Sequence, residues 1–164
     1  ADIGVAVPYG NSQTVPFEKR YFAGGANSVR GWSARTLGPG AYDARNDVID
    51  FINQCGDIRL DFSLEYRARL FWVFEGAIFV DAGNIWTIKT YENQPGGTFK
   101  FDKFYRQIAL SYGAGIRMDF TYFLLRFDLG MKAHNPAMGQ EEWPLIHPHW
   151  GRDATFHFAV GYPF

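Results

Sequence analysis

Apolar and polar side chains alternate without exception along one long segment of the chain, residues 59–70. Every even position there is apolar, and every odd position carries a charge or a hydroxyl group. A period of two predicts a β-strand with one apolar and one polar face. Strands of soluble proteins are typically about five or six residues long, so a strand of this length favours a wall that crosses a membrane.

The same period recurs in five other segments. The six predicted strands cover residues 2–9, 59–70, 72–86, 107–119, 123–134 and 153–164. Long connections at 11–56, 87–104 and 135–152 alternate with tight turns, which we place near 69–71 and 120–121. Transmembrane barrels alternate short turns with long extracellular loops, and their strands cross the hydrocarbon layer with about nine to eleven residues. We therefore predict an all-β fold, a segment of a transmembrane antiparallel β-barrel.

The number of strands indicates that the barrel is larger than this chain. Known barrels of this kind begin at about eight strands, and an open sheet edge in lipid would leave backbone groups unpaired. The first residues, Ala1 to Val5, resemble no signal peptide and start as though cut from a longer chain. A soluble sheet with a solvated polar face remains the alternative.

Two faces follow from the predicted strands. The apolar face is expected to meet lipid, with aromatic belts at both interfaces: Trp72, Tyr122 and Tyr162 near the short turns, Trp86 and Tyr105 near the long loops. The polar face is expected to line an aqueous interior. It includes the carboxylates Glu65 and Asp81 on neighbouring strands and, near the end of the fifth strand, His134.

Composition narrows the classes of function. The formal net charge is -1, without a basic cluster, so nothing indicates nucleic-acid binding. The single cysteine, Cys55, excludes an internal disulfide and a zinc site built from cysteines. No apolar run reaches the ~18 residues of an ordinary membrane helix. Because no catalytic triad and no nucleophile beside a base is recognisable, we expect no enzymatic activity, no catalytic residue, no metal and no cofactor.

Three glycines lie in one stretch of the first long connection, residues 20–32. Gly24, Gly25 and Gly31 permit backbone angles that other residues avoid, so this stretch is expected to form a loop. Arg30 lies near its end. In an aqueous interior its planar, permanently charged guanidinium would reach Glu65 and Asp81 and bind a carboxylate through two hydrogen bonds. A surface loop with a solvated arginine is the alternative.

With the strands placed, several motifs resemble the carboxyl-terminal barrel of the outer-membrane assembly-factor superfamily, which includes BamA-like and TamA-like insertases and is also called the bacterial surface antigen family. The loop tip Val29, Arg30, Gly31 and Trp32 resembles the Val-Arg-Gly-aromatic tip of that family's inward-folded loop. Residues 79–86 match its Phe-x-Asp-x-Gly strand motif through Phe79, Asp81 and Gly83. Residues 157–164 resemble its closing strand, with Phe158, Gly161 and a terminal Phe164.

The resemblance implies a fold and a set of partners. Residues 1–164 would be the carboxyl-terminal portion of one outer-membrane barrel domain, the last six of about sixteen strands, with residues 11–56 as the inward-folded loop. The loop arginine Arg30 would bind Glu65 and Asp81. Expected partners are outer-membrane lipids, client β-barrel polypeptides and accessory assembly lipoproteins, in the bacterial outer membrane.

The function that the resemblance favours is an assembly factor that folds and inserts client outer-membrane proteins. A polypeptide transporter of two-partner secretion and a barrel that anchors a patatin-like lipase remain alternatives within the fold. A soluble all-β binding module is the alternative outside it. An incoming client strand would add by main-chain hydrogen bonds to the edge of the last strand.

Overall fold

The computed structural model describes residues 1–8, 14–43, 53–137, 143–144 and 150–161. Within these ranges the chain is mainly β, with short helical turns that include Phe17–Lys19, Phe104–Gln107 and Trp150–Asp153. None of the described helices is long and apolar enough to cross a membrane.

Six strands form one sheet, in which each strand pairs antiparallel with the next along the chain. They are β1 (Asp2–Val5), β2 (Ile58–Phe71), β3 (Phe74–Trp86), β4 (Ala109–Asp119), β5 (Leu124–His134) and β6 (Ala154–Gly161). The predicted fold class, an antiparallel sheet that is one segment of a barrel wall, is confirmed. The order β1 to β6 follows the sequence, because tight turns and loops join only neighbouring strands.

The predicted segregation of side chains between the two faces is observed along the central strands. Leu64 of β2 is 64% exposed on the apolar face, and its cross-strand partner Val80 is exposed beside it. Asp81, the next residue of β3, is 0% exposed on the opposite face. Since successive side chains of a strand point to opposite sides, the alternation in the sequence places the charges on one face.

Two of the differences from the predicted strand boundaries can be traced to particular residues. The first tight turn lies at Trp72 and Val73, beyond the predicted residues 69–71, because β2 continues to Phe71 after an irregularity in its pairing with β3. Trp72 takes a positive φ of 49° in this turn. The first strand is shorter than predicted and ends at Val5, although Ala6 N still donates to Asp57 O (2.7 Å). Pro8 has no N–H group with which to continue the ladder.

The long connection between β1 and β2 lies against the polar face of the sheet. Within its described part, residues 6–8, 14–43 and 53–57, four side chains form the main hydrophobic cluster with inward side chains of the wall. The cluster consists of Ala23, Val29, Trp32, Leu37, Ile85 and Ala109. The core is therefore made by a loop packed onto a sheet, while apolar side chains in the middle of the outer face, such as Leu64 and Ile78, are exposed.

The aromatic residues predicted at the interfaces behave differently at the two ends of the strands. Trp72 is 96% exposed and Tyr122 is 82% exposed at the short turns, as a belt requires. At the long-loop end Tyr105 is 56% exposed, but Trp86 is 1% exposed, so the prediction for Trp86 is wrong. Residues 98–107 fold over its ring, and its Nε1 donates to Gln107 Oε1 (2.9 Å). Tyr162 lies outside the described residues.

Candidate functional site

The structure brings the loop tip together with both predicted carboxylates on the polar face of β2 and β3. Arg30 is 3% exposed. Its Nε donates to Asp81 Oδ2 (2.8 Å) and its Nη2 to Asp81 Oδ1 (2.8 Å), which is the two-bond geometry that a guanidinium offers a carboxylate. Its Nη1 donates to Glu65. All the donor groups of the side chain therefore point at the wall.

Asp81 is held by four hydrogen bonds. Besides the two from the guanidinium, it accepts from the backbone N–H of Arg30 (3.1 Å) and from the hydroxyl of Ser63 (2.6 Å). The Ser63 hydroxyl in turn accepts from Arg30 Nη2 (3.0 Å). A buried carboxylate is stable only when it is paired and hydrogen-bonded, and these donors meet that requirement.

The charge of Arg30 is secured by its surroundings. Burial alone lowers the pKa of its guanidinium, but hydrogen bonds from it to Asp81 and Glu65 and their negative charges raise that pKa more, so that the net shift is upward. The guanidinium carbon also lies 3.5 Å from the centre of the Phe79 ring, a cation–π contact. Phe79, the first residue of the predicted strand motif, therefore contacts the loop arginine directly.

Glycines of the wall provide the room in which the tip lies. A Cβ on Gly130 of β5 would collide with the Arg30 carbonyl, and one on Gly83 of β3 would collide with Leu60 O and lie 3.2 Å from Val29 Cγ2. Conversely, a Cβ on Gly31 would meet that of Ser111 at 2.5 Å. The glycines at 31, 83 and 130 thus permit a close approach of loop and sheet, whereas the sequence suggested only conformational freedom for the loop glycine.

The last tip residue, Trp32, is buried in the hydrophobic cluster, and Lys132 Nζ lies 5.5 Å from the centre of its ring. Val29 is buried in the same cluster. The four tip residues therefore all contact the sheet or the core of the loop, and Arg30 alone among them supplies a charge.

Several contacts of the tip were missed by the sequence reasoning. On the terminal strand β6, Thr155 Oγ1 donates to Gly31 O (2.9 Å), and His157 Nε2 lies 3.0 Å from Arg30 O. Both residues have the inward parity of β6, but the parity does not say which of the inward residues meets the loop. The pairing register of β6 with β5 decides this.

A second ion-pair cluster extends the site toward β4 and β5. Arg117 Nη2 donates to Glu65 (3.0 Å), and its Nη1 donates to Asp128. Arg117 and Asp128 are both 1% exposed in their side chains. Arg126 binds Asp128 (3.1 Å) and also Ala26 O (3.2 Å), so this cluster too contacts the loop.

The residues predicted on the terminal strand lie apart from this site. Phe158 faces outward, with its ring 5.1 Å from that of Phe127. Gly161 pairs with Leu124, and a Cβ added to it would meet no described atom within 4 Å. A glycine that makes room for an aromatic neighbour would show a ring at that position, and none lies there among the described atoms. Phe164 lies outside the described residues.

No group of three or more histidine, cysteine, aspartate or glutamate side chains in the described ranges is placed to hold a metal ion. Cys55, the single cysteine of the sequence, is buried, and its Sγ accepts a hydrogen bond from Arg20 Nη1 (3.5 Å). The arrangement on the polar face is thus an ion-pair and hydrogen-bond network that fixes a loop on a sheet.

Comparison with known proteins agrees with this architecture. A protein-family profile described as the Omp85 superfamily domain matches residues 1–164. The outer membrane protein assembly factor BamA of Neisseria meningitidis serogroup B is 33% identical to this chain over 101 residues, which cover 56% of this chain and 12% of that relative. The chain therefore belongs to the Omp85 superfamily, and its sheet is part of a β-barrel of the bacterial outer membrane.

Proposed function

We propose that this chain is the carboxyl-terminal barrel portion of an assembly factor that folds client β-barrel polypeptides and inserts them into the outer membrane. The observation that carries the proposal is the tip Val29 to Trp32, whose arginine is bound to Asp81, Ser63 and Glu65 on the polar face of an Omp85 domain. Similarity to an assembly factor over 56% of the chain supports the same role.

The proposed role requires a barrel wall that stays in one conformation beside a client strand. Arg30 links the loop to β2 and β3, while Thr155 and His157 link the same tip to β6. A strand edge offers unpaired N–H and C=O groups to which an extended client segment adds by main-chain hydrogen bonds. This action uses binding alone, so the proposal includes no catalytic residue, nucleotide or cofactor.

The test is a folding assay with the full-length protein in liposomes. We expect the wild-type protein to accelerate the folding of an unfolded client barrel, and Arg30→Ala to lower the initial rate several-fold because the tip is no longer held to the wall. Arg69→Ala is the matched control, since this arginine is 91% exposed in its side chain and its ion pair with Glu75 is long, at 3.6 Å.

Two outcomes would contradict the proposal. One is an Arg30→Ala rate equal to that of wild type. The other is a protein that moves an exported polypeptide across the liposome membrane without folding any barrel into it, which would favour the transporter.

A further inference from the structure

A cavity of about 540 Å³ opens on the outer face of the sheet, at the long-loop end of β4 and β5. Its floor contains Ile108 and Leu110. Leu110 has the outward parity, since its neighbour Ser111 approaches the loop glycine on the inward side. Because the long loops of such barrels are extracellular, this cavity lies at the level of the outer leaflet.

His134 lies in this cavity although the alternation predicted it on the inward face. The pairing of β4 and β5 shifts between Leu110 and Ser111, so that Leu110 pairs with His134 and Ser111 with Lys132. The extra residue, Ala133, moves His134 to the side of Leu110. The ring of His134 stacks at 4.5 Å on Trp143, and its Nδ1 lies 2.6 Å from Ile108 O.

The rim of the cavity is aromatic and basic. Tyr105 and Arg106 line it, both exposed, with the guanidinium carbon 5.8 Å from the centre of the Tyr105 ring. Lys103 is one helical turn earlier, and its carbonyl accepts from Arg106 N (3.1 Å). Lys103 is exposed and immediately precedes this turn, so a second cation lies close to Arg106 along the chain. Neither Lys103 nor Arg106 forms an ion pair with any residue that the structure describes.

A cavity with an apolar floor and an aromatic, basic rim favours binding of an amphipathic anion. The apolar floor fits an acyl chain, the aromatic rings fit the boundary between hydrocarbon and headgroup, and the two unpaired cations fit a phosphate. We propose that the cavity binds a phosphate-bearing lipid of the outer leaflet. The site is on the face of the wall opposite Arg30, so the proposal does not depend on the function proposed above.

The test measures binding of diphosphorylated lipid A to the full-length protein in detergent, by native mass spectrometry or with a fluorescent derivative. A basic side chain near an anionic lipid surface contributes about fivefold in affinity. The double variant Lys103→Gln/Arg106→Gln should therefore bind about 25-fold more weakly. Lys19→Gln/Arg69→Gln removes the same charge from two exposed positions elsewhere and should bind as wild type.

Three results would overturn the proposal. The first is an affinity that does not depend on charge, seen as equal binding of lipid A and its phosphate-free analogue or as equal affinity of the two double variants. The second is full competition by inorganic phosphate at millimolar concentration, which would indicate a simple anion site. The third is displacement of the lipid by a poly-glutamate peptide at lower concentration than by unlabelled lipid A, which would indicate an acidic protein partner.

Discussion

Replacing Arg30 by methionine removes the positive charge at the loop tip and keeps most of the side chain's length. Asp81 would lose two hydrogen bonds of 2.8 Å and its counter-ion, and with 0% of its surface exposed it has no access to water in exchange. Glu65 would still be paired, because Arg67 and Arg117 both donate to it. The cost of the substitution therefore falls on Asp81.

The expected size of this cost follows from the burial. Removing one partner of a buried ion pair destabilises a protein by about 3–5 kcal/mol. Since ~1.4 kcal/mol is a factor of ten, the equilibrium for opening of the loop should rise by about two to three and a half powers of ten. Hydrogen–deuterium exchange of the peptide that covers residues 22–32, measured on the full-length protein in lipid nanodiscs, reports this equilibrium.

The substitution Asp81→Asn tests whether the cost of Arg30→Met comes from the uncompensated charge of Asp81 or from a general loss of packing. The double variant Arg30→Met/Asp81→Asn leaves neither charge at this pair, so it should cost less than the sum of the two single variants. Arg69→Met, at an exposed arginine, should leave the exchange of the loop unchanged. The reasoning is refuted if Arg30→Met raises the exchange less than tenfold, or if the two single costs add within about 0.5 kcal/mol.

Four further substitutions test other parts of the structure. Gly130→Ala places a methyl group against the Arg30 carbonyl, so we expect faster hydrogen–deuterium exchange of the loop. The added methyl group of Gly161→Ala meets no described atom within 4 Å. This substitution should change the free energy of unfolding by less than about 0.5 kcal/mol. Thr155→Val removes the hydroxyl bound to the tip and should cost about 0.5–1.5 kcal/mol, measured by the same exchange. Leu64→Lys puts a charge on the middle of the outer face of β2. In a urea titration in vesicles it should destabilise the protein by about 2–4 kcal/mol. A smaller effect in vesicles than in detergent would argue against contact of this face with lipid.

The strands were predictable because alternation is a local property. Whether a position of β2 or β3 is apolar or polar depends only on the face to which its side chain points. Leu64 and Asp81 could therefore be assigned to opposite faces from the sequence. The approach of Arg30 to Glu65 and Asp81 was expected from the inward parity of the two carboxylates together with the family resemblance. Their distances and hydrogen bonds depend on the register, which the sequence does not state.

The predictions failed where a strand departs from strict alternation or where a loop folds back. His134 changes face because of one extra residue in β5, and no local pattern marks that residue. Trp86 is buried because residues 98–107 cover it, which is a tertiary contact. The ion-pair partner of Arg117 could not be predicted from the sequence either. Arg117 lies directly opposite Arg126 in the strand register, and its ion pair is with the diagonal neighbour Asp128.

The two contacts between the loop tip and β6 have a consequence for how the wall keeps its alignment. A slide of β6 along β5 by two residues, about 7 Å, would restore the backbone ladder and keep every side chain on its own face. Main-chain bonding alone therefore distinguishes poorly between the two alignments. Thr155 and His157 meet the carbonyls of Gly31 and Arg30 in only one of them. The loop tip thus fixes the register of β6 on β5. When the tip is in place, only one register allows both contacts. When the tip is displaced, β6 could shift along β5 in steps of two residues.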